Sequence, residues 1–241
     1  MQYMGGKKLA SKGIAEVINI ARERPDQQIW DPFCGGLSTA VAFGGPVLCS
    51  DLSLPLISLY QAVAQGWEPP DSVSPEEWEA AKSLPDTDPM KGFCGFGCSW
   101  MGHYFGRYAV DKRRPNDHGV FARRAKKALL RDVPLLIKRG GMFAHMSFFD
   151  LEPMKDDIII YCDPPYYGVT GFPSVPEKFD HVAFWLRCVE WARCGVPVFV
   201  SEYACPLDEH QYELVWTKST PLGRFGGGTR RQQECLFWVK G

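Results

Sequence analysis

Residues 157–166 read DIIIYCDPPY, an apolar run that ends in an acid, two prolines and a tyrosine. A continuous apolar run without alternation is typical of a strand that is buried on both faces of a parallel sheet. Pro164 and Pro165 lack backbone N–H groups and so end the strand. Open α/β sheets bind ligands beyond the carboxyl ends of their strands. We therefore expect the tetrapeptide Asp163-Pro164-Pro165-Tyr166 to lie at a binding site.

Further strands and helices alternate on both sides of this stretch. Short apolar segments typical of strands lie at 28–30, 46–49, 142–145 and 196–200, and helical patterns accompany them at 11–21, 37–43, 54–65 and 181–194. This alternation predicts an α/β fold with a doubly wound, Rossmann-like sheet. The last two apolar segments, 213–217 and 234–239, predict an antiparallel hairpin at one edge of the sheet.

The alternation breaks between residues 67 and 138. Within this stretch, Ser74-Pro75-Glu76-Glu77 has the capping-box signature of a helix start. Residues 92–108 interleave glycines with aromatic residues, and a basic helix is predicted from 118 to 131. We expect residues 67–138 to form an inserted, mainly helical lobe, and residues 1–66 and 139–241 to form one catalytic domain.

The composition is that of an ordinary folded protein. The 241 residues include 27 Lys and Arg against 28 Asp and Glu, and 45% are apolar. No segment approaches the roughly 18 apolar residues of a bilayer span, and the N-terminus lacks the apolar core of a signal peptide. We expect a soluble, cytoplasmic protein that is a monomer or a weak dimer. The nine cysteines show neither a disulfide framework nor a zinc spacing, so we expect no metal site.

The tetrapeptide at 163–166 offers two hydrogen-bond acceptors and a flat ring at one place. Because neither proline has an N–H group, the Asp163 carboxylate and the Pro164 carbonyl can both accept from one ligand. An exocyclic amino group, such as N6 of adenine, has two hydrogens to donate. Accepting both favours a pyramidal nitrogen whose lone pair points out of the ring plane. Tyr166 adds a face on which a base can stack.

Two other motifs carry glycines or acids where ligands commonly bind. Asp31-Pro32-Phe33-Cys34-Gly35-Gly36 follows the first strand, and Asp51 ends the second. Glycines at such a turn let the backbone approach a ligand, and an acid after the second strand commonly binds ribose hydroxyls. Tyr3-Met4-Gly5-Gly6-Lys7 is a glycine turn near the N-terminus. Taken singly, each motif is also compatible with an ordinary turn.

Taken together and in this order, the motifs resemble those of the Dam-like (alpha-class, D12-type) DNA adenine-N6 methyltransferases. The resemblance rests on Tyr3-Met4-Gly5-Gly6-Lys7, Asp31-Pro32-Phe33-Cys34-Gly35-Gly36, Ser50-Asp51, Ser147-Phe148-Phe149-Asp150 and Asp163-Pro164-Pro165-Tyr166, and it extends to a terminal strand at 231–237. One departure concerns the glycine turn, since Leu37 stands where the family usually has its last glycine. This substitution puts the approach of the turn to the cofactor in doubt.

The resemblance implies a fold, a cofactor and a set of site residues. The fold is a Rossmann-like methyltransferase sheet whose inserted lobe recognises DNA, and the cofactor is S-adenosyl-L-methionine. Asp51 would bind its ribose hydroxyls and Phe148 its adenine ring. The implied cofactor-binding residues are Tyr3, Lys7, Asp31, Phe33, Cys34, Gly35, Gly36, Asp51, Phe148 and Asp163, and the implied catalytic residues are Asp163, Pro164, Pro165 and Tyr166.

A cationic segment between residues 91 and 131 independently favours double-stranded DNA as the partner. The candidate DNA-binding residues are Lys112, Arg113, Arg114, Asn116, Arg123, Arg124, Lys126 and Lys127. An adenine inside a duplex must be flipped out of the stack before its N6 can react. The resemblance, together with the small size, implies a solitary bacterial or phage modification enzyme, with or without a partner nuclease. Alternatives are the same fold acting on cytosine N4 or on adenine in RNA, and a non-catalytic DNA-binding regulator.

Overall fold

The computed structural model describes residues 1–150, 152, 158–167, 179–221 and 231–241. Its helices are α1 (Ser11–Ile20), α2 (Leu54–Ala64), α3 (Pro75–Ala80), α4 (Pro89–Gly92), α5 (Gly119–Lys138) and α6 (His181–Arg193). Its strands are β1 (Gln28–Asp31), β2 (Val47–Asp51), β3 (Met142–His145), β4 (Ile158–Cys162), β5 (Val198–Glu202), β6 (Tyr212–Pro221) and β7 (Arg231–Val239). Short 3₁₀ and π turns join several of these elements.

The seven strands form one mixed sheet in the order β3-β2-β1-β4-β5-β7-β6. Strands β1 to β5 pair in parallel, whereas β7 is antiparallel to both β5 and β6. The antiparallel pair β6–β7 at one edge is the hairpin that the sequence predicts. The strand order confirms the doubly wound α/β fold.

Helices cover both faces of the sheet, and the side chains of the central strand alternate between them. Ile159 and Tyr161 face the core that contains α1, α2 and α5, whereas Ile158, Ile160 and Cys162 face the core that contains α6. All five residues of β4 are buried. This explains the uninterrupted apolar sequence, because a strand covered on both faces needs no polar alternation.

The stretch between β2 and β3 buries its side chains in the same core as α1 and α2. Trp78, Phe93 and Phe96 belong to that core, and α5 packs along α2. Ser74 caps α3 in a capping box with Glu77, as its sequence predicts. The division into a catalytic domain and an inserted lobe at 67–138 stays a prediction.

The prediction of a helix at 37–43 is wrong. Only Ala40–Ala42 forms a single 3₁₀ turn, and Leu37 has a left-handed backbone with φ of 63°. An α-helix of L-residues cannot include such a residue without strain. Leu37 is nevertheless 1% exposed, so the turn keeps the conformation that a glycine would adopt while its side chain enters the core.

Candidate functional site

The site lies where the carboxyl ends of β1, β2 and β4 meet. β1 and β4 are neighbours, but β1 leads to β2 on one side of the sheet and β4 leads to β5 on the other. This is the topological switch point at which open α/β sheets bind ligands. A cavity of about 550 Å³ opens there, lined by N-terminal residues 2–10, the turn at 33–36 and the tetrapeptide at 163–166.

Two buried carboxylates brace the glycine turn after β1. Asp51 accepts hydrogen bonds from the backbone N–H groups of Gly35 at 3.2 Å and of Ser53 at 2.9 Å. Burial raises the pKa of Asp51 to about 6, against the lowering effect of these two bonds. Asp31 accepts from the N–H of Phe33, and burial together with the charge of Asp163 raises its pKa well above the ordinary value.

The glycines of this turn make room for Tyr3. A Cβ atom on Gly36 would lie 2.6 Å from the Tyr3 Cβ, and one on Gly35 would lie 2.8 Å from its ring. On the far side, Gly102 has φ of 70°, and a Cβ there would lie 2.6 Å from the Tyr3 Cα. The N-terminal segment is therefore seated between two glycine-containing loops, and its position depends on the absence of side chains there.

The same segment delivers Lys7 to the tetrapeptide. The Lys7 ammonium lies 3.0 Å from the Asp163 carboxylate and 3.5 Å from that of Glu234, and 4.1 Å from the centre of the Tyr166 ring. Burial alone would lower the pKa of Lys7, but the charges of Asp163 and Glu234 outweigh it and raise the pKa. Lys7 therefore remains a cation in the cavity wall.

Asp163 and Tyr166 are both held in place by these neighbours. Burial raises the pKa of Asp163 above its ordinary value, although the charge of Lys7 opposes the rise. The Tyr166 hydroxyl donates to Glu234, and its ring meets the edge of Tyr203 at a centroid distance of 4.5 Å. The carboxylate and the aromatic ring thus line one cavity, and the two prolines between them bring no competing N–H donor.

The structure brings nearly all of the predicted cofactor-binding and catalytic residues to this cavity. Those on its wall are Tyr3, Lys7, Asp31, Phe33, Cys34, Gly35, Gly36, Asp51, Asp163, Pro164, Pro165 and Tyr166. Phe148 lies elsewhere: it is 5% exposed and packs against Phe33 and Phe184 at centroid distances of 5.5 Å. Phe148 therefore packs against Phe33, which lines the cavity, and does not line the cavity itself.

The cavity wall also contains residues that the sequence analysis did not assign to a site, among them Met101, Tyr203 and Glu234. Tyr203 directly follows β5, the same position relative to its strand that Asp163 has after β4. That position was a usable signal. Glu234 is an acid in β7 whose following residues are buried and apolar, and Met101 lies in a left-handed turn with φ of 57°. Neither has a local sequence signal for a site.

The candidate DNA-binding residues lie on the loop before α5 and on its first turns. All are exposed except Lys126, which is half-buried. Three of them have acidic partners within the chain: Arg123 pairs with Asp117 at 2.6 Å, Arg124 approaches Asp111 at 4.0 Å, and Lys126 pairs with Asp71 at 3.1 Å. Among the described residues, no ion pair includes Lys112, Arg113, Arg114 or Lys127.

The part of the chain that the structure describes contains neither a metal-binding cluster nor a membrane-spanning helix. Within it, no group of three or more His, Cys, Asp or Glu side chains is arranged to hold a metal ion. None of its helices combines the length and apolar character needed to cross a membrane.

Three similar solved structures share little sequence with this chain. The rRNA methyltransferase aviRa from Streptomyces viridochromogenes is 13% identical with a TM-score of 0.39, over 95% of this chain and 82% of that one. A candidate methylase from Haemophilus influenzae, HI0767, is 10% identical with a TM-score of 0.38, over 96% and 88%. SMU.472, a candidate methyltransferase solved with SAH, is 12% identical with a TM-score of 0.37, over 98% and 55%. At these TM-scores the fold is defined by this chain's own strand order.

Family comparison gives a match at the N-terminal side of the site. The comparison with curated proteins yields no match. The model of the D12 class N6 adenine-specific DNA methyltransferase family matches residues 3–81. This segment contributes Tyr3, Lys7, the turn after β1 and Asp51 to the cavity wall. Over residues 3–81, the chain is therefore similar in sequence to the D12 class N6 adenine-specific DNA methyltransferase family, in agreement with the predicted resemblance to Dam-like enzymes.

Proposed function

We propose that this protein is a site-specific DNA adenine-N6 methyltransferase that uses S-adenosyl-L-methionine. One observation carries the proposal: the family-matched segment and the tetrapeptide at 163–166 line the same cavity at the switch point of the sheet. A cofactor site and an acceptor for an amino group therefore share one space. Methyl transfer requires this proximity.

The cavity fits the proposed cofactor in size and charge. Its volume of about 550 Å³ falls in the range of small-molecule sites. Its acidic lining residues Asp31, Asp51, Asp163 and Glu234 outnumber the basic Lys7 and Lys8. S-adenosyl-L-methionine has an ammonium and a sulfonium group, which such a lining attracts. Each carboxylate oxygen of Asp51 accepts one hydrogen bond from a backbone N–H group. Each oxygen therefore retains a lone pair that can accept from a ribose hydroxyl.

The target amino group would bind at Asp163 and the Pro164 carbonyl. These two acceptors each accept a hydrogen bond from the amino group. The two hydrogen bonds favour a pyramidal nitrogen whose lone pair points out of the ring plane. When bound, S-adenosyl-L-methionine would supply an electrophilic methyl carbon on its sulfonium, and the carbon–sulfur bond would break, with its electron pair going to sulfur, as the bond to N6 forms. No covalent bond to the protein is needed.

The proton of the methylated nitrogen has an acceptor in the same place. Transfer makes the nitrogen cationic, so its N–H becomes a far stronger acid than in the free base. Asp163 already accepts a hydrogen bond from that group, and burial raises the pKa of its carboxyl above the ordinary value. Asp163 would therefore take the proton after, or late in, the transfer of the methyl group.

The substrate geometry requires a flipped base. Adenine N6 lies inside the duplex, so the base must be extruded before its amino group can reach the tetrapeptide in the cavity wall. Tyr166 is the proposed stacking surface, residues 67–138 the proposed recognition lobe, and the basic residues around the start of α5 the proposed phosphate contacts. A monomer or weak dimer in the bacterial cytoplasm, encoded by a bacterium or a phage, would suit this activity.

The substitution Asp163→Asn tests the proposed mechanism. Asparagine keeps the size of the side chain but removes the charge and replaces one acceptor oxygen by a donor. Methyl transfer from labelled cofactor to DNA should fall by about 100-fold or more. DNA binding, measured by fluorescence anisotropy, should stay within about threefold because phosphate contacts dominate it. Asp26→Asn, in an exposed turn, is the control and should keep full activity. Substantial transfer by Asp163→Asn would rule out the assigned role.

A further inference from the structure

Lys7 is shared between two carboxylates that come from distant parts of the chain. Asp163 follows β4, whereas Glu234 belongs to β7 at the antiparallel end of the sheet. The exposed side-chain fractions are 10% for Lys7, 17% for Asp163 and 7% for Glu234. All three charges therefore lie largely out of water, where each depends on its partners for compensation.

The proposed function makes a demand on this group. A target amino group that donates to Asp163 competes for the carboxylate charge with Lys7, whose ammonium lies 3.0 Å from one of the two carboxylate oxygens, and so weakens the contact between Asp163 and Lys7. A buried ammonium that loses its partner is strongly destabilising. The Glu234 carboxylate already lies 3.5 Å from the same ammonium, so a small movement of Lys7 replaces one partner by the other.

We infer that Glu234 is a positioning residue that takes over Lys7 when Asp163 turns to the target amino group. This inference rests on the proposed function and adds Glu234 to the residues that position the tetrapeptide. Glu234 acts through Lys7 and need not touch the substrate. Its second contact, with the Tyr166 hydroxyl, fixes the proposed stacking ring from the same carboxylate.

The neighbouring buried acid, Glu202, does not fit this role. Its two carboxylate oxygens accept from the backbone N–H groups of Tyr167 at 3.1 Å and Tyr203 at 2.8 Å. No ion pair among the described residues joins it to Lys7. Glu202 thus supports two backbone segments, whereas Glu234 directs its carboxylate to Lys7 and Tyr166.

The test compares Glu234→Gln in two backgrounds. In the otherwise unchanged enzyme we expect kcat for DNA methylation to fall about tenfold, with the Kd for S-adenosylhomocysteine within about threefold. In the Tyr166→Phe background, which lacks the hydroxyl bond, the same loss should persist. Glu213→Gln, an exposed acid of β6, is the charge-matched control and should keep its rate. An unchanged kcat, or a loss that disappears in the Tyr166→Phe background, would overturn the inference.

A stability measurement gives a reading that needs no activity. Lys7, Asp163, Tyr166 and Tyr203 face Glu234, and burial raises the pKa of Glu234 although Lys7 opposes it. Ionising Glu234 therefore costs stability as pH rises, and glutamine avoids this cost. The Tm of Glu234→Gln minus that of the unchanged protein should be more positive at pH 8 than at pH 5. An equal loss of Tm at both pH values would show that the Glu234 carboxylate is not desolvated beside Lys7, and would overturn the inference. If the unchanged protein methylated no DNA, the proposed function would fail. The comparison of Tm values would still test whether Glu234 is a desolvated partner of Lys7.

Discussion

At the scale of single residues, Leu37 shows how one side chain can replace a glycine. The Dam-like resemblance places a glycine at this position, and the backbone of Leu37 keeps the left-handed φ of 63° that a glycine adopts without strain. The side chain is fully enclosed by the core. Left-handed backbone costs an L-residue roughly 1–2 kcal/mol, whereas removing a buried leucine side chain costs about 2–5 kcal/mol. Packing therefore outweighs strain.

This balance predicts an unusual order of stability for two substitutions. Both Leu37→Gly and Leu37→Ala lose the buried side chain, but only alanine retains the left-handed strain. We expect both variants to be less stable than the unchanged protein, and Leu37→Ala to be about 1 kcal/mol less stable than Leu37→Gly. Urea unfolding measures the difference. Alanine as the more stable variant, which is the usual order, would show that φ at this position is not left-handed.

Some residues of the site were predictable from the sequence, and others were not. Asp31, Asp51 and Asp163 each stand at or just after the end of a strand, and parallel strands bring those ends together, so their meeting was predictable. Glu234 was not, because β7 is antiparallel and enters the sheet beside β5 only through the final hairpin. Its contact with Lys7 joins residues more than 200 positions apart.

At the scale of elements, strands were easier to predict than the connections between them. The apolar runs of β1, β2, β4 and β5 are recognisable in the sequence because these strands are covered on both faces of the sheet. The helix predicted at 37–43 failed because apolar periodicity does not report a left-handed residue at its start. The first turns of α5 and the loop before it carry the basic residues that the sequence analysis selected, and the ion pairs divide these residues into two groups.

The salt dependence of DNA binding should distinguish these groups. Lys112, Arg113 and Arg114 are exposed and form no ion pair among the described residues, so they are available to phosphates. Replacing all three by glutamine should flatten the slope of log K against log salt concentration by roughly 2–3, at about 0.9 for each lost phosphate contact. Lys126→Gln, at a lysine already paired with Asp71, should change the slope by less than about 0.5. Equal slopes for the triple variant and the unchanged protein would remove this loop from the DNA interface.

At the scale of the whole molecule, buried carboxylates make stability depend on pH. Burial raises the pKa of Asp51 to about 6 and that of Glu202 to about 7, and it raises those of Asp31, Asp163 and Glu234 as well. A carboxyl whose pKa is raised in the folded state holds its proton more tightly there than in the unfolded chain. The free energy of unfolding contributed by these groups therefore falls as pH rises from about 4 to about 7.

We accordingly expect the unliganded protein to have a lower Tm at pH 8 than at pH 5. Each 1 kcal/mol lost corresponds to about 2–4 °C for a chain of this length. Glu202→Gln should reduce the difference between the two pH values, and Glu213→Gln, at an exposed acid, should leave it unchanged. Differential scanning calorimetry checks this prediction. A Tm that rises from pH 5 to pH 8 would mean that these carboxylates are not desolvated in the folded protein.

The same surplus of buried acid connects stability with function. Sites that need charged groups in fixed positions are seldom optimal for stability. A cationic cofactor in the cavity would compensate part of the carboxylate charge, so binding should raise the Tm most at the higher pH. The sheet and its hydrophobic cores were predictable from apolar patterning, whereas this clustering of charge depends on how the N-terminal segment folds back over the turn after β1.

The most direct measurement is an analysis of nucleosides from DNA treated with the protein. Purified protein is incubated with unmethylated bacterial genomic DNA and methyl-labelled S-adenosyl-L-methionine, and the digested DNA is examined by mass spectrometry and by modification-sensitive sequencing. We expect label in N6-methyladenine, located in one short sequence motif and absent with Asp163→Asn. Label in N4-methylcytosine, or no labelled nucleoside from a protein that binds the cofactor, would contradict the proposed function.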